Sequence, residues 1–226
     1  MMGCFAENTA GRYQFSRADQ DAFAAESVRR ALAAVESGAF AKEIVPVTVK
    51  GRKGEVVIDR DETPFTCDIA KIPQLKPAFH KDGTVTAASS SSISDGAAAV
   101  VLASESAAAK VGASHSQEPE WFTIAPVGAI QKVLARTGWK ASDVDLFEVN
   151  EAFAAVAMCA AKDIGIAADK LNVNGGACAL GHPVGATGAR IVATLLHALI
   201  ARGGRRGIAS LCIGGGEAVA IAIERI

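Results

Sequence analysis

The sequence has no surplus of charge of either sign: 23 Lys and Arg stand against 24 Asp and Glu, a formal net charge of −1. Such a chain carries no field that would gather nucleic acid or an anionic membrane, so neither is expected as a partner. Paired cysteines are missing as well. The five present, Cys4, Cys67, Cys159, Cys178 and Cys212, are odd in number and nowhere spaced CxxC. That excludes a disulfide framework or a zinc ribbon and suits reduced thiols. Apolar runs are broken by Gly or charge before they reach membrane-spanning length, and no secretory leader is expected, which places the protein in the cytoplasm. What is there is 50% hydrophobic residues in 226, enough for one large or two small packed domains. The expected partner is a small molecule or another protein.

The chain is organised around residues 172–188, a stretch with glycine at 175, 176, 181, 185 and 188 and one imidazole, His182, between Gly181 and Pro183. Glycine there permits positive φ and close approach of a ligand, while proline fixes φ beside the histidine. A second such stretch follows at residues 211–217, where an apolar strand carrying Cys212 runs into Gly214, Gly215 and Gly216. Strand ends of this kind are where α/β proteins place their chemistry.

Along the chain, Ser16 with Asp19 three positions on is a helix N-cap, and Phe23, Val28, Ala31, Leu32 and Val35 carry the period up to Gly38. Residues 43–49 and 55–58 flank Lys50, Arg52 and Lys53 as a hairpin with a basic tip. Those cations could clamp phosphates, but nothing near them converges on a ligand, so a solvated tip is expected. Residues 60–77, with Pro64, Pro73 and Pro77, form an irregular connection or lid, and His80 after them is a surface residue. The serine run at 89–92 either lines a polar ligand or caps a helix, and residues 97–102 have the character of a buried strand. Pro126 opens a helix ending at Gly138, with Val127, Ile130 and Leu134 on one face. Residues 144–149 alternate as a strand leading into a helix that ends near Gly165, so Asn150 sits at the junction, as a plain N-cap or as a fixed amide beside a pocket. A helix over 185–201, with His197 partly exposed on it, and strands over 206–213 and 217–223 complete a layered α/β domain.

A thiol and an imidazole on two glycine-rich turns can be a nucleophile and base, a metal pair, or coincidence. Cys178, His182 and Cys212 lack a fourth metal donor and a supporting carboxylate, so no metal is expected. A core cysteine has little use for three following glycines, which argues against coincidence. Consecutive glycines offer backbone N–H groups to a developing oxyanion beside a thiol that can exchange a proton, a pairing suited to carbonyl or thioester chemistry.

Residues 150–153 (Asn-Glu-Ala-Phe), 174–177 with 181–188, and 212–216 resemble, in order, the three C-terminal signatures of the thiolases. Met2, residues 6–8, 20–24, 43–47 and 95–98 resemble that family too. The resemblance implies an α/β fold, the layered α-β-α-β-α thiolase arrangement in incomplete form. Residues 1–78 would be a loop-domain-like segment, 79–113 the end of the N-terminal thiolase half, and 114–226 the C-terminal thiolase domain. It implies an acyltransferase that condenses two acetyl-CoA or thiolyses 3-oxoacyl-CoA, with the coenzyme A thioester as substrate and no separate cofactor. Cys212 would be the acid/base at the α-carbon, and His182 would activate a nucleophilic cysteine and hold the thioester oxygen. Asn150 would support that oxyanion through a water, and the Gly214 amide would serve a second hole. Ser91 and the Ala87 backbone would face pantetheine, and Met2, Phe79, Phe122 and Phe153 would line the substrate pocket.

Two departures from the family pattern set further expectations. The acylated cysteine of the family precedes everything in this chain, and Cys4 lies in the wrong motif to replace it. About one strand's length is also expected to be missing after residues 111–114. The chain is therefore expected to be part of a working thiolase, homo-oligomeric when complete or joined by a partner chain supplying the N-terminal half. The alternative is a catalytically incompetent module that binds coenzyme A or a thiolase subunit.

Overall fold

The computed structural model of the protein describes residues 1–52, 54–101 and 111–225. Its centre is a four-stranded sheet in the order β3-β6-β5-β4, built from β3 (Val111–Ser116), β4 (Leu146–Val149), β5 (Arg206–Ile213) and β6 (Glu217–Glu224). β3 and β5 pair antiparallel with β6, whereas β4 runs parallel to β5. The parallel pair needs a crossover, and α5 (Ala154–Ile164), α6 (Ala177–Leu180) and α7 (Thr187–Arg202) lie within it.

Alternation along β4 assigns the two faces. Leu146 points to a cluster with Ile191, Leu195 and Leu199 of α7, while Phe147 and Val149 point to a larger one with Ile130 and Val133 of α4 (Ala125–Thr137) and Val156 of α5. Ile191, Leu195 and Leu199 recur every four residues, the helical period that makes one apolar stripe. Phe147 at 1% exposure contributes roughly 2–3 kcal/mol through burial alone. Helices on both faces of one sheet form the α-β-α portion of the expected five-layer arrangement.

The N-terminal part covers one end of this unit. α1 (Met2–Tyr13) places Ala6 in the larger core, and α2 (Arg17–Glu36) packs Val28 and Ala31 against Ala179 of α6. Ser16 Oγ accepts from Asp19 N and Ser16 N donates to Asp19 Oδ2 in return, the capping box read from the sequence. β1 (Val47–Gly51) and β2 (Gly54–Ile58) form the expected hairpin as a separate two-stranded sheet. A four-residue helix, α3 (Thr63–Thr66), and a 3₁₀ turn over Ile69–Gln74 punctuate the connection after it.

Two expectations are corrected. A strand is expected to be absent where about one strand's length is missing after residues 111–114, yet residues Val111–Ser116 themselves form β3, pairing Gly112 with Ile221 and Ser114 with Val219. Its small side chains hide the alternation that would mark a strand, and its ladder with β6 supplies the order instead. Residues 97–101 form no strand, and Val101 is 94% exposed; Leu102 lies outside the described residues. An aliphatic run favours burial, but a strand also needs a neighbouring ladder to receive its hydrogen bonds.

Candidate active site

Four segments converge at the C-terminal ends of β4 and β5. The amide of Asn150 donates to the Ser210 carbonyl at 2.9 Å, tying the turn after β4 to β5. Residues 89–93 thread between that turn and His182: Ser91 N and Ser91 Oγ both donate to the Ala152 carbonyl, at 3.1 and 3.0 Å, and His182 N donates to the Ser92 carbonyl at 2.9 Å. No serine of the run is the N-cap of a helix, although the Ser89 carbonyl accepts from Ala154 N, the first amide of α5, at 2.9 Å. The run joins the two site loops through its backbone.

Asn150 is not an N-cap either, because α5 begins at Ala154 and its cap position is Phe153. Asn150 is 1% exposed, with its side-chain Nδ2 3.4 Å from His182 Nε2. His182 Nδ1 lies 2.6 Å from Thr187 Oγ1, and that hydroxyl donates its one hydrogen to the Pro183 carbonyl at 2.9 Å. With that hydroxyl assigned as donor to Pro183, Thr187 accepts from an Nδ1–H, which leaves the Nε2 lone pair turned toward Asn150. Burial, then the nearby Arg190 cation, pushes the His182 pKa down, so the imidazole is neutral near pH 7 and able to take a proton.

Cys212 occupies the last turn-proximal part of β5, opposite Ala218, and is 6% exposed in the larger core. Burial pushes its thiol up to about 12. It is protonated at neutral pH, and its thiolate is correspondingly a strong base. The glycine turn beyond it closes through Gly216 N donating to the Ile213 carbonyl at 3.1 Å, and among the described residues no acceptor is paired with the Gly214 N–H. Gly216 has φ +89°, and a Cβ there would stand 2.1 Å from the Gln117 carbonyl oxygen, so only glycine fits. Met2 of α1 overlies the turn: a Cβ on Gly214 would lie 3.2 Å from its Cε.

The remaining predicted residues divide between the site and the core. Phe79, Phe153, Phe122 and Phe5 form an edge-to-face train with centroids 5.9, 6.3 and 6.4 Å apart. Phe122, at 1% exposure, is the most buried member of that train, whereas Met2 is 40% exposed and Ala87 is exposed. Ser91 is half-buried. A cavity of 430 Å³ opens beside the imidazole loop, between residues 94–98 and 183–186. Larger cavities of 840 and 500 Å³ lie elsewhere, against the β2 hairpin strand and between α2 and α5.

The glycines of residues 174–176 serve packing where the sequence suggested ligand approach. A Cβ on Gly175 (φ +81°) would meet the Ser27 carbonyl oxygen of α2 at 2.6 Å, and one on Gly176 would meet the Glu151 carboxyl at 2.2 Å. Glu151, 1% exposed, accepts from Ser27 Oγ at 2.7 Å, Asn172 Nδ2 at 2.8 Å and Cys178 N at 3.1 Å. Burial and this carboxylate push the Cys178 thiol well up, which suits a structural rather than a reacting cysteine.

A group the sequence reading missed lies behind Asn150. Glu148 on β4 and Arg190 on α7 stand 3.8 Å apart, and Arg190 Nη2 donates to Asn150 Oδ1 at 3.4 Å. Attraction at that separation is worth about 4 kcal/mol at an effective dielectric of ~20, against several kcal/mol to desolvate each ion. Arg190 is also shared with Glu43 and Asp61. Desolvation wins at Glu148, whose pKa rises to about 8, and at Glu43, which rises to about 7. The available signal was the polar stripe Thr187, Arg190, Thr194 on an otherwise apolar helix. Among the described residues, no group of three or more His, Cys, Asp or Glu is placed to hold a metal ion.

Two family models match this chain: "Thiolase, C-terminal domain" over residues 100–225 and "Thiolase, N-terminal domain" over residues 1–106. The acetyl-CoA acetyltransferase of Chromobacterium violaceum is 49% identical over 236 residues, covering 99% of this chain and 60% of the relative. The crystal structure of the Bacillus anthracis acetyl-CoA acetyltransferase superposes with a TM-score of 0.96 at 45% identity, covering all of this chain and 60% of that one. Human mitochondrial 3-ketoacyl-CoA thiolase gives 0.91 at 38% identity, again covering 60% of its length. The chain thus spans 60% of the length of these relatives.

Proposed function

The chain belongs to the thiolase family, and from that premise we propose that it carries the proton-transfer part of an acyl-CoA acyltransferase site. The substrates would be acetyl-CoA in condensation and a 3-oxoacyl-CoA in thiolysis. The supporting observations are a neutral His182, its unprotonated Nε2 facing the Asn150 amide, and a Cys212 thiol pushed up to about 12 at the mouth of a glycine turn.

In thiolysis, His182 Nε2 would take the proton of a nucleophilic thiol supplied by polypeptide outside these 226 residues. That thiolate attacks the 3-keto carbon, and the C2–C3 bond breaks to leave an acyl thioester and an acetyl-CoA enolate. Cys212 gives its proton to the enolate carbon, and the acyl group then passes to the sulfur of free coenzyme A, whose thiol proton goes to the Cys212 thiolate while the departing nucleophilic thiolate takes back the proton held on His182. In condensation the Cys212 thiolate removes the α-proton, and its raised proton affinity narrows the gap to a weakly acidic C–H. The Gly214 N–H and the Asn150 amide are suited to stabilise the oxyanions. Ser91 and Ala87 would meet pantetheine, and Met2, Phe79 and Phe153 the acyl end. Phe122 would back Phe153 from within the core.

A homo-oligomer, or a complex with a chain bearing the nucleophile, is part of this reading, as is a cytoplasmic location; no described helix is long and apolar enough to cross a membrane. The test is an acetoacetyl-CoA thiolysis assay on protein purified from its native source, with the intact mass of the same sample. Turnover at a mass well above 23.1 kDa, abolished by Cys212→Ala, is the expected result. A mass matching this chain without turnover would leave the module reading, in which it binds coenzyme A or a thiolase subunit. Turnover by the 226-residue chain alone would overturn the assignment of the nucleophile to other polypeptide.

A further inference from the structure

Helix α7 is apolar where it meets the sheet, yet Thr187 and Arg190, one turn apart on its first turn, are turned inward. Residues at i and i+3 share a helix face. One of them holds His182 and the other holds Asn150. The extended chain of β4 brings Glu148 and Asn150 to one side of the sheet, the α7 side marked by Leu146. Arg190 lies between them, 3.8 Å from Glu148 and 3.4 Å from Asn150 Oδ1.

The chemistry of these donors leaves one arrangement. A guanidinium has five N–H donors and no acceptor, so the Asn150 side chain must offer it oxygen. Its NH2 group is then directed at His182 Nε2. An NH2 group at Nε2 requires the lone pair there and the hydrogen on Nδ1; on that side of the ring the Thr187 hydroxyl, donating to Pro183, accepts it. We propose that the first turn of α7 is a positioning clamp: Arg190 fixes which way the Asn150 amide faces and Thr187 fixes the tautomer of His182. The proposal rests on the reading of His182 and Asn150 as site residues, and neither Arg190 nor Thr187 need touch substrate. Without the clamp the Asn150 amide can turn its oxygen to His182, where it would favour a proton on Nε2 and remove the lone pair a base requires.

The test is NMR of the uniformly ¹⁵N-labelled 226-residue chain, which has four histidines, His80, His115, His182 and His197; His182→Gln identifies the ring of interest. Wild type is expected to show His182 protonated at Nδ1 and a nuclear Overhauser effect from the Asn150 NH2 protons to that ring. Arg190→Met, with the backbone amide spectrum otherwise native, is expected to abolish that effect, and Arg190→Lys to give an intermediate one. Thr187→Val is expected to mix the two tautomers. A wild-type contact in Arg190→Met, or a tautomer unchanged in Thr187→Val, overturns the corresponding half of the clamp. If Arg190→Met does not give a native spectrum, Arg190→Lys decides: a weakened contact supports the clamp and an unchanged one overturns it. These readouts need no turnover, so a failed thiolysis assay and a failed clamp are told apart.

Discussion

At the scale of single residues, the electrostatics behind the site make a prediction about pH. Glu43 and Glu148 ionise near 4.5 when solvated, and burial raises them to about 7 and about 8 in the folded chain. Between those values the folded chain keeps protons that the unfolded chain has already released, so folding stability falls as pH rises. The full contribution is present below about pH 4.5 and is lost as pH passes through 7 and then 8. For Glu148 the slope is about 1.4 kcal/mol per pH unit, a few kcal/mol over the window as an order of magnitude. Glu148→Gln keeps the shape and cannot ionise. The urea midpoint of wild type is expected to decline from pH 5 to pH 8, and that of Glu148→Gln to decline less and to lie above wild type at pH 8. A wild-type midpoint rising over that interval would show that Arg190 outweighs desolvation.

At the scale of elements, the β1–β2 hairpin is the least supported piece. Cross-strand partners share a face, which puts Val47, Val49, Val56 and Ile58 on one side and Thr48, Lys50, Glu55 and Val57 on the other. The apolar side is open, with Val47 58% and Val49 49% exposed. A two-stranded hairpin without a covered face is marginal in water. Its amides are expected to exchange with deuterium at the earliest time points, while those of β5 stay protected by orders of magnitude; slow exchange in the hairpin would mean that something covers it. This hairpin was legible in the sequence because β-branched residues flank a glycine-bearing tip. So were α2, through Ser16 and Asp19, and the β5–β6 turn, through its glycines. β3 and α1 were not, because Gly112, Ala113 and Ser114, like the mixed residues of 2–13, show no clear period. The site was half legible. His182, Asn150 and Cys212 stand in sequence patterns, but Arg190 and Glu148 acquire meaning only when α7 crosses β4, a long-range placement that no local pattern carries.

At the scale of the whole molecule, the aliphatic residues left in water adjoin the chemistry. Ile93 is 95% exposed and Val184 72%, and the Ile93 backbone bridges that of His182. Val101, 94% exposed, continues the same segment. Exposed aliphatic side chains grouped beside a site mark an association face or an aggregation liability. A polypeptide covering it would also shield His182 from water, and in a drier site the oxyanion donors gain strength. The isolated 226-residue chain is therefore expected to self-associate, with its sedimentation coefficient rising with concentration and a hydrophobic dye binding to the uncovered face. Ile93→Ser with Val184→Ser should weaken both effects without moving the amide spectrum of β5 and β6. A monomer at every concentration that binds no dye would mean that these side chains fold back onto the chain in solution. His182 would then be screened by its own loop, with no covering polypeptide needed to dry the site.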